Sequence, residues 1–107
     1  MAILITGVSG FIGKYLAIKL LKENCKVYGI YRKNKPNINN KNFVLIKANL
    51  VKKIAIPNDV DSIFHLAADS PENSNKNKLI SNNTKSTKNL IASMKNKKIS
   101  SFYFFSS

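Results

Sequence analysis

The stretch Thr6-Gly7-Val8-Ser9-Gly10-Phe11-Ile12-Gly13 constrains this chain more than any other part of it. It follows the apolar run Ala2-Ile3-Leu4-Ile5 and opens a helical pattern over residues 11–23, so it reads as a strand, a glycine turn and a helix. Each glycine has its own physical task. Gly7 permits the tight turn, Gly10 lets backbone approach a pyrophosphate, and Gly13 lets the helix sit close to the strand. A phosphate there would meet the unpaired N–H groups of the first helical turn, near Phe11 and Ile12, at the positive end of the helix dipole. The other common phosphate loop, which ends in Gly-Lys-Ser/Thr, does not fit: Gly13-Lys14 is followed by Tyr15, and Val8 stands five residues before Gly13.

Ile12, Leu16 and Leu20 recur at four-residue spacing with Lys14, Lys19, Lys22 and Glu23 elsewhere, the pattern of an amphipathic helix lying on a sheet. Asn24 is its predicted C-cap. Residues 26–32 read as a second strand, with Gly29 the small residue that would let the adenosine half of a dinucleotide come close. Residues 33–42 are polar, contain Pro36 and read as a loop. A third, mostly apolar strand over 43–48 ends at Asn49-Leu50, and a short irregular or helical piece over 51–58 follows. Residues 61–68 form a fourth strand that runs into Ala67 and Ala68, whose small side chains leave room for a ligand.

Beyond a polar loop over 69–78, Leu79, Ile80, Asn83, Thr87, Leu90, Ile91 and Met94 recur at helical spacing and predict a second long helix. Asn83 and Thr87 are polar members of its inward stripe, so one of them requires a partner. Residues 102–105 make a fifth strand. Strands alternating with helices predict an α/β chain with a doubly wound parallel sheet.

The end of the second strand bears on the cofactor. An Asp or Glu there would bind the ribose 2′-OH of NAD, but Arg32 and Lys33 occupy the place, and a guanidinium pairs with the 2′-phosphate of NADP. Arg32 is the chain's single arginine, which favours NADP over NAD. His65, the single histidine, has no Cys, His or Asp cluster at ligand spacing around it, so no metal site is expected and the ring reads as packed or at a rim.

With 107 residues the chain is at most one domain and small for a doubly wound enzyme. The net charge of +13 raises nucleic-acid binding. The lysines are spread over almost every segment among many asparagines, however, which favours an ordinary solvated surface and ranks that partner last. The lone Cys25 points to a reduced compartment. The first residues resemble no secretion signal and no apolar run is long enough to span a bilayer, so a cytoplasmic protein without membrane partner is expected.

Taken together, Thr6-Gly7-x-x-Gly10-x-x-Gly13, Asn49-Leu50, Asp61-x-Ile63-Phe64-His65-Leu66-Ala67-Ala68, Asn83-x-x-Ser86-Thr87-x-Asn89-Leu90 and Phe102-x-Phe104-x-Ser106-Ser107 resemble the amino-terminal half of the extended short-chain dehydrogenase/reductases. This is the family of nucleotide-sugar epimerases and dehydratases. The resemblance implies an incomplete Rossmann-type domain over residues 1–107, with five parallel strands in the order 3-2-1-4-5 and right-handed crossovers. It implies NADP or NAD as cofactor, with Gly7, Gly10, Phe11, Ile12 and Gly13 at the pyrophosphate and Arg32 at the end of the second strand. Asn49 and Leu50 would lie toward the adenine, Ala67 and Ala68 beside the cofactor, and Asn83 would support the active site. Asn49 stands where the family usually has an Asp, and Ser86 where it usually has a glycine.

The family's catalytic Ser or Thr would fall just past Ser106-Ser107, and its Tyr-x-x-x-Lys base further on, so no catalytic residue is expected within the chain. Tyr103 lies inside a strand and has no lysine four residues later. The expected function is the NAD(P)-binding portion of an epimerase, dehydratase or reductase acting on a nucleotide sugar, inactive as this chain alone. A non-catalytic NADP-sensing module is the alternative, and nucleic-acid binding the third. The fifth strand presents an open sheet edge, through which association is expected.

Overall fold

A computed structural model describes residues 1–52, 54–66 and 76–105, with the side chains of 76–84 left aside. Five strands and two helices follow one another as β1 (Ala2–Thr6), α1 (Phe11–Lys22), β2 (Lys26–Tyr31), β3 (Phe43–Lys47), β4 (Ser62–His65), α2 (Lys76–Ser93) and β5 (Ser101–Phe104). The strands form one parallel sheet in the order β3-β2-β1-β4-β5, the topology expected from the sequence. Its reversal point lies between β2 and β4, where β1 sits, and that is where open α/β sheets place ligands, at the carboxyl ends of the strands.

Every residue of β1 is buried, because β2 and β4 flank it and side chains pack on both faces. On one face Ile3 and Ile5 meet Val27 of β2, Ala17 and Leu21 of α1, and Val8 of the glycine turn. On the other, Ala2 and Leu4 meet Tyr28, Ile30 and Ile63, with Leu90 of α2 as cover and Leu50, Ile56 and Val60 filling from the segment that links β3 to β4. Leu4, Ile5, Ile63 and Leu90 have no exposed surface at all, so each contributes on the order of 1.5–3 kcal/mol of apolar burial. The edge strands are more open, with Val44 of β3 and Tyr103 and Phe104 of β5 substantially exposed.

The register sets Thr6 beside Ile30 on one flank and His65 on the other, with Phe104 beside His65. Thr6, Tyr31, His65 and Phe104 therefore end their strands along a single edge. The second strand stops at Tyr31, which leaves Arg32 in the bend beyond it, and the fourth stops at His65. The segment expected to be irregular or helical between β3 and β4 holds turns and no helix among its described residues.

α1 ends in a Schellman arrangement. Glu23 is the cap, and Asn24 follows it in the left-handed conformation at φ 63°, one residue later than its predicted place. The Asn24 amide donates to the Leu21 carbonyl (3.1 Å) and the Cys25 amide to the Leu20 carbonyl (3.1 Å), which satisfies carbonyls that the helix end would otherwise leave bare. Asparagine tolerates that backbone better than most residues, and the turn delivers the chain directly into β2.

Candidate functional site

The glycine turn begins where β1 ends. Gly7 takes φ 71°, in the left-handed region that a side chain disfavours, and the Gly10 amide donates to the Gly7 carbonyl at 3.1 Å to close the turn. The Val8 amide donates to the Ile30 carbonyl at 3.3 Å, tying the turn to β2. Gly10 is the N-cap of α1, and no side chain caps the helix. Its first intrahelical bond is that of the Lys14 amide to the Gly10 carbonyl at 2.9 Å, so the amides before Lys14 have no carbonyl of the helix to bond.

A Cβ added at Gly13 would lie 2.2 Å from the Gly7 carbonyl oxygen and 3.0 Å from the Val8 Cα. The start of α1 is thus seated directly on the turn. A cavity of about 370 Å³ opens here, lined by Gly7, Gly10, Phe11, Ile12, Gly13, Leu66 and Phe105. Bare amides at a helix start, a floor of glycines and an open space above them suit an anionic phosphate bridge. The five residues read from the sequence at the pyrophosphate all line the cavity. Leu66, one residue past β4, and Phe105, one past β5, were not among the residues read as binding.

Of the other candidates, Arg32, Asn49 and Leu50 do not line this cavity. Arg32 is exposed just beyond β2. The Asn49 side-chain oxygen accepts the Val51 amide at 3.1 Å within its own turn, and Leu50 is buried in the core under α2. Asn89 of α2 holds that turn from the other side, its side-chain nitrogen donating to the Leu50 carbonyl at 3.0 Å. Ala67 and Ala68 lie outside the described residues, as does the Asn83 side chain.

Gly29 makes room for protein, not for a ligand. A Cβ there would meet the Phe43 ring and the Val8 side chain at 2.9 Å. The expectation that its space receives the adenosine half of a cofactor is corrected accordingly. Two tyrosines precede a lysine by four residues, Tyr15 before Lys19 on α1 and Tyr31 before Lys35. Neither pair lines the cavity, and Tyr15 is 62% exposed.

His65 is a packed histidine, as the sequence suggests. It is 2% exposed, and its Nδ1 lies 2.7 Å from the Thr6 hydroxyl, which also accepts the Leu66 amide at 2.9 Å. On its other side Nε2 lies 3.2 Å from the Thr87 hydroxyl of α2. The Phe104 ring meets the imidazole edge-on at 5.2 Å between centroids. Burial lowers the ring's pKa below the ordinary histidine value, so it is neutral at pH 7. Thr87 is thereby the polar stripe residue of α2 for which a partner is seen.

The parallel sheet, its reversal point and the uncapped helix start define a Rossmann-type dinucleotide-binding domain. The profile of the NAD dependent epimerase/dehydratase family matches residues 3–107, and the chain belongs to that family. Among solved structures it is similar to UDP-glucuronic acid 4-epimerase from Bacillus cereus, crystallised with NAD and a fluorinated UDP-glucuronic acid. The two share 28% identity at a TM-score of 0.82, over 100% of this chain and 40% of that one. It shares its fold with UDP-glucose 4-epimerase from Bifidobacterium longum in complex with NAD+ and UDP (23% identity, TM-score 0.81, 100% of this chain and 37% of that one). It also shares it with yeast methylglyoxal/isovaleraldehyde reductase complexed with NADPH (20%, TM-score 0.78, 100% and 38%). The chain therefore spans about two fifths of the length of these proteins. No helix among the described residues is long and apolar enough to cross a membrane.

Proposed function

We propose that this chain is the cofactor-binding portion of an NAD(P)-dependent epimerase, dehydratase or reductase whose substrate is a nucleotide sugar. The observation that carries the reading is the start of α1: uncapped amides at Phe11 and Ile12, opened onto a cavity by glycines and seated on the turn by Gly13. These amides receive the pyrophosphate, and the absence of a side chain at Gly10 lets it come close. A bound dinucleotide supplies a nicotinamide that gives or takes a hydride. Residues 1–107 hold and orient it, and the acid–base groups for turnover belong to another part of the protein. The Bacillus cereus relative, with NAD and a UDP-sugar analogue bound, supports both the cofactor and the substrate class.

Arg32 gives the cofactor preference. It stands one residue past β2, where no carboxylate is available for a ribose 2′-OH, and its guanidinium pairs with the 2′-phosphate of NADP. Asn49 keeps an acceptor toward the adenine amine, Ala67 and Ala68 flank the cofactor, and Asn83 supports the substrate end. Tyr103, Phe104 and Phe105, each about half exposed along and beyond the outer strand β5, make that edge a place of association. A reducing cytoplasmic setting suits the lone Cys25.

The test is a titration of NADPH and NADH, repeated on Arg32→Ala. Tighter NADPH binding is expected, with the preference reduced about tenfold or more in the variant. An unchanged preference would remove Arg32 from the reading, and failure of both dinucleotides to bind would refute the function itself.

A further inference from the structure

We propose that His65 is a positioning residue for the dinucleotide site, fixing the floor of the cavity by clamping the end of β1 to β4 and α2. This inference rests on the cofactor-binding reading above. Thr6 immediately precedes Gly7, and His65 immediately precedes Leu66; Gly7 and Leu66 both line the cavity. A single hydrogen-bonded cluster holds the two places where backbone leaves the sheet to enter the site. The Thr6 hydroxyl accepts the Leu66 amide (2.9 Å) and meets His65 Nδ1 (2.7 Å), while His65 Nε2 reaches Thr87 on α2 (3.2 Å).

An ordinary sheet interior would place aliphatic side chains at these positions, as it does at Leu4 and Ile63 on the same face. Thr6 is fully buried and His65 nearly so, and such polar groups are tolerated only when their bonds are made. Among the described residues no buried side-chain nitrogen or oxygen lacks a partner. Apolar contacts resist separation but tolerate sliding. Directional bonds from one ring to two elements resist both, which is the property that a site accurate to about 0.5 Å requires.

The clamp is also sensitive to acid. Protonation puts N–H groups on both ring nitrogens, so the Thr6 hydroxyl would have to accept from Nδ1 as well as from Leu66, and a charge would be buried. Among the described residues, the groups packed against the ring are Thr6 from β1, Phe102 and Phe104 from β5 and Thr87 from α2. No carboxylate among the described residues of these elements faces it, and Lys85 and Lys88, which flank Thr87, are exposed. Cofactor binding, which needs the clamp closed, must therefore weaken at acid pH.

The test is NADP+ affinity of the full chain from about pH 8 down to the lowest pH at which circular dichroism shows it folded, for the natural protein, His65→Gln and His65→Leu. His65→Leu is expected to bind about tenfold more weakly at pH 7.5. His65→Gln, whose amide both donates and accepts but does not titrate, should recover most of that loss. The ratio of natural to His65→Gln affinity should hold near pH 7.5 and fall severalfold as pH drops below 6.5 through the lowered pKa of the ring. Taking the ratio cancels the titration of the cofactor's own 2′-phosphate, which occurs near pH 6. A ratio flat with pH, or a folded His65→Leu that binds as tightly as the natural protein, would overturn the role of His65 and leave the cofactor reading standing. Should His65→Leu not fold, the His65→Gln ratio decides. If the natural protein binds no dinucleotide, both readings fall together.

Discussion

Replacing Gly13 and Gly10 in turn by alanine separates stability from binding at adjacent corners of one turn. At Gly13 the new methyl would lie 2.2 Å from the Gly7 carbonyl oxygen, 2.9 Å from the Gly7 carbonyl carbon and 3.0 Å from the Val8 Cα. All three are backbone atoms, so no side chain can swing away, and relief requires α1 to lift off the glycine turn by about 1 Å, the shortfall from ordinary contact. Alanine gains up to about 1 kcal/mol of helix propensity over glycine, whereas overpacking of this kind costs about 1–3 kcal/mol or more, and the contact is at the severe end. The net expectation is a loss of about 2 kcal/mol, which at roughly 4–8 °C per kcal/mol for a domain this size lowers Tm by about 10 °C.

At Gly10 the nearest atom to the new Cβ is the Gly7 carbonyl oxygen at 3.4 Å, an ordinary contact, and φ is −74° with extended ψ, which any residue adopts. Gly10→Ala should therefore keep its stability to within about 0.5 kcal/mol. It nevertheless places a methyl on the cavity lining, where the pyrophosphate must approach, and should weaken NADP+ binding by tenfold or more. Urea unfolding followed by circular dichroism and a cofactor titration on each variant form the assay. Unchanged stability in Gly13→Ala would refute the close seating of α1, and unchanged affinity in Gly10→Ala would refute the phosphate site.

At the amino-terminal edge of the sheet the Tyr28 hydroxyl donates to Asp59 at 2.7 Å, and Lys26 pairs with the same carboxylate at 3.2 Å. The Tyr28 bond, with Lys26 adding to it, lowers the pKa of Asp59 below its ordinary 3.8. That contribution is present above pH 3.8 and lost as pH falls through the lowered folded value. Tyr28→Phe should cost about 1 kcal/mol at pH 7 in urea unfolding, and the difference should narrow below pH 3.8; a pH-independent difference would contradict the assignment. Tyr103→Lys, which puts a charge on the exposed face of β5, should lower any concentration-dependent association seen by sedimentation velocity, and association unaffected by the change would place the contact elsewhere.

The sheet order was legible because two local signals agree: a glycine turn joining strand to helix, and apolar runs separated by helical or polar segments. The cavity at the start of α1 was legible for the same reason, since Gly7, Gly10, Phe11, Ile12 and Gly13, which line it, are neighbours in sequence and in space. Leu66 and Phe105 were not, because they reach the cavity only through the pairing of β4 with β1 and of β5 with β4. Their position one residue past a strand's carboxyl end was the available clue.

Gly29 was misread because its occupant, the Phe43 ring, comes from β3, whose register with β2 no spacing reveals. Leu50 shows the same limit, since helical or strand periodicity says nothing about which way a turn residue faces. The stripe on α2 showed that a polar partner must exist; that it is His65 follows only from the packing of α2 over β4.

The central position of β1 also orders events in time. It is synthesised before the other four strands of the sheet, yet its flanks are Lys26 to Ile30 on one side and Ser62 to His65 on the other. The pairings are parallel and non-local, the kind whose loop-closure cost must be met before contacts repay it. The glycine turn thus leaves the ribosome before any of the walls that shape the cavity above it. Until β4 and β5 have emerged and docked, the growing chain carries a complete glycine motif without the Leu66 and Phe105 walls of its cavity, and its apolar first strand is a segment for chaperones to hold.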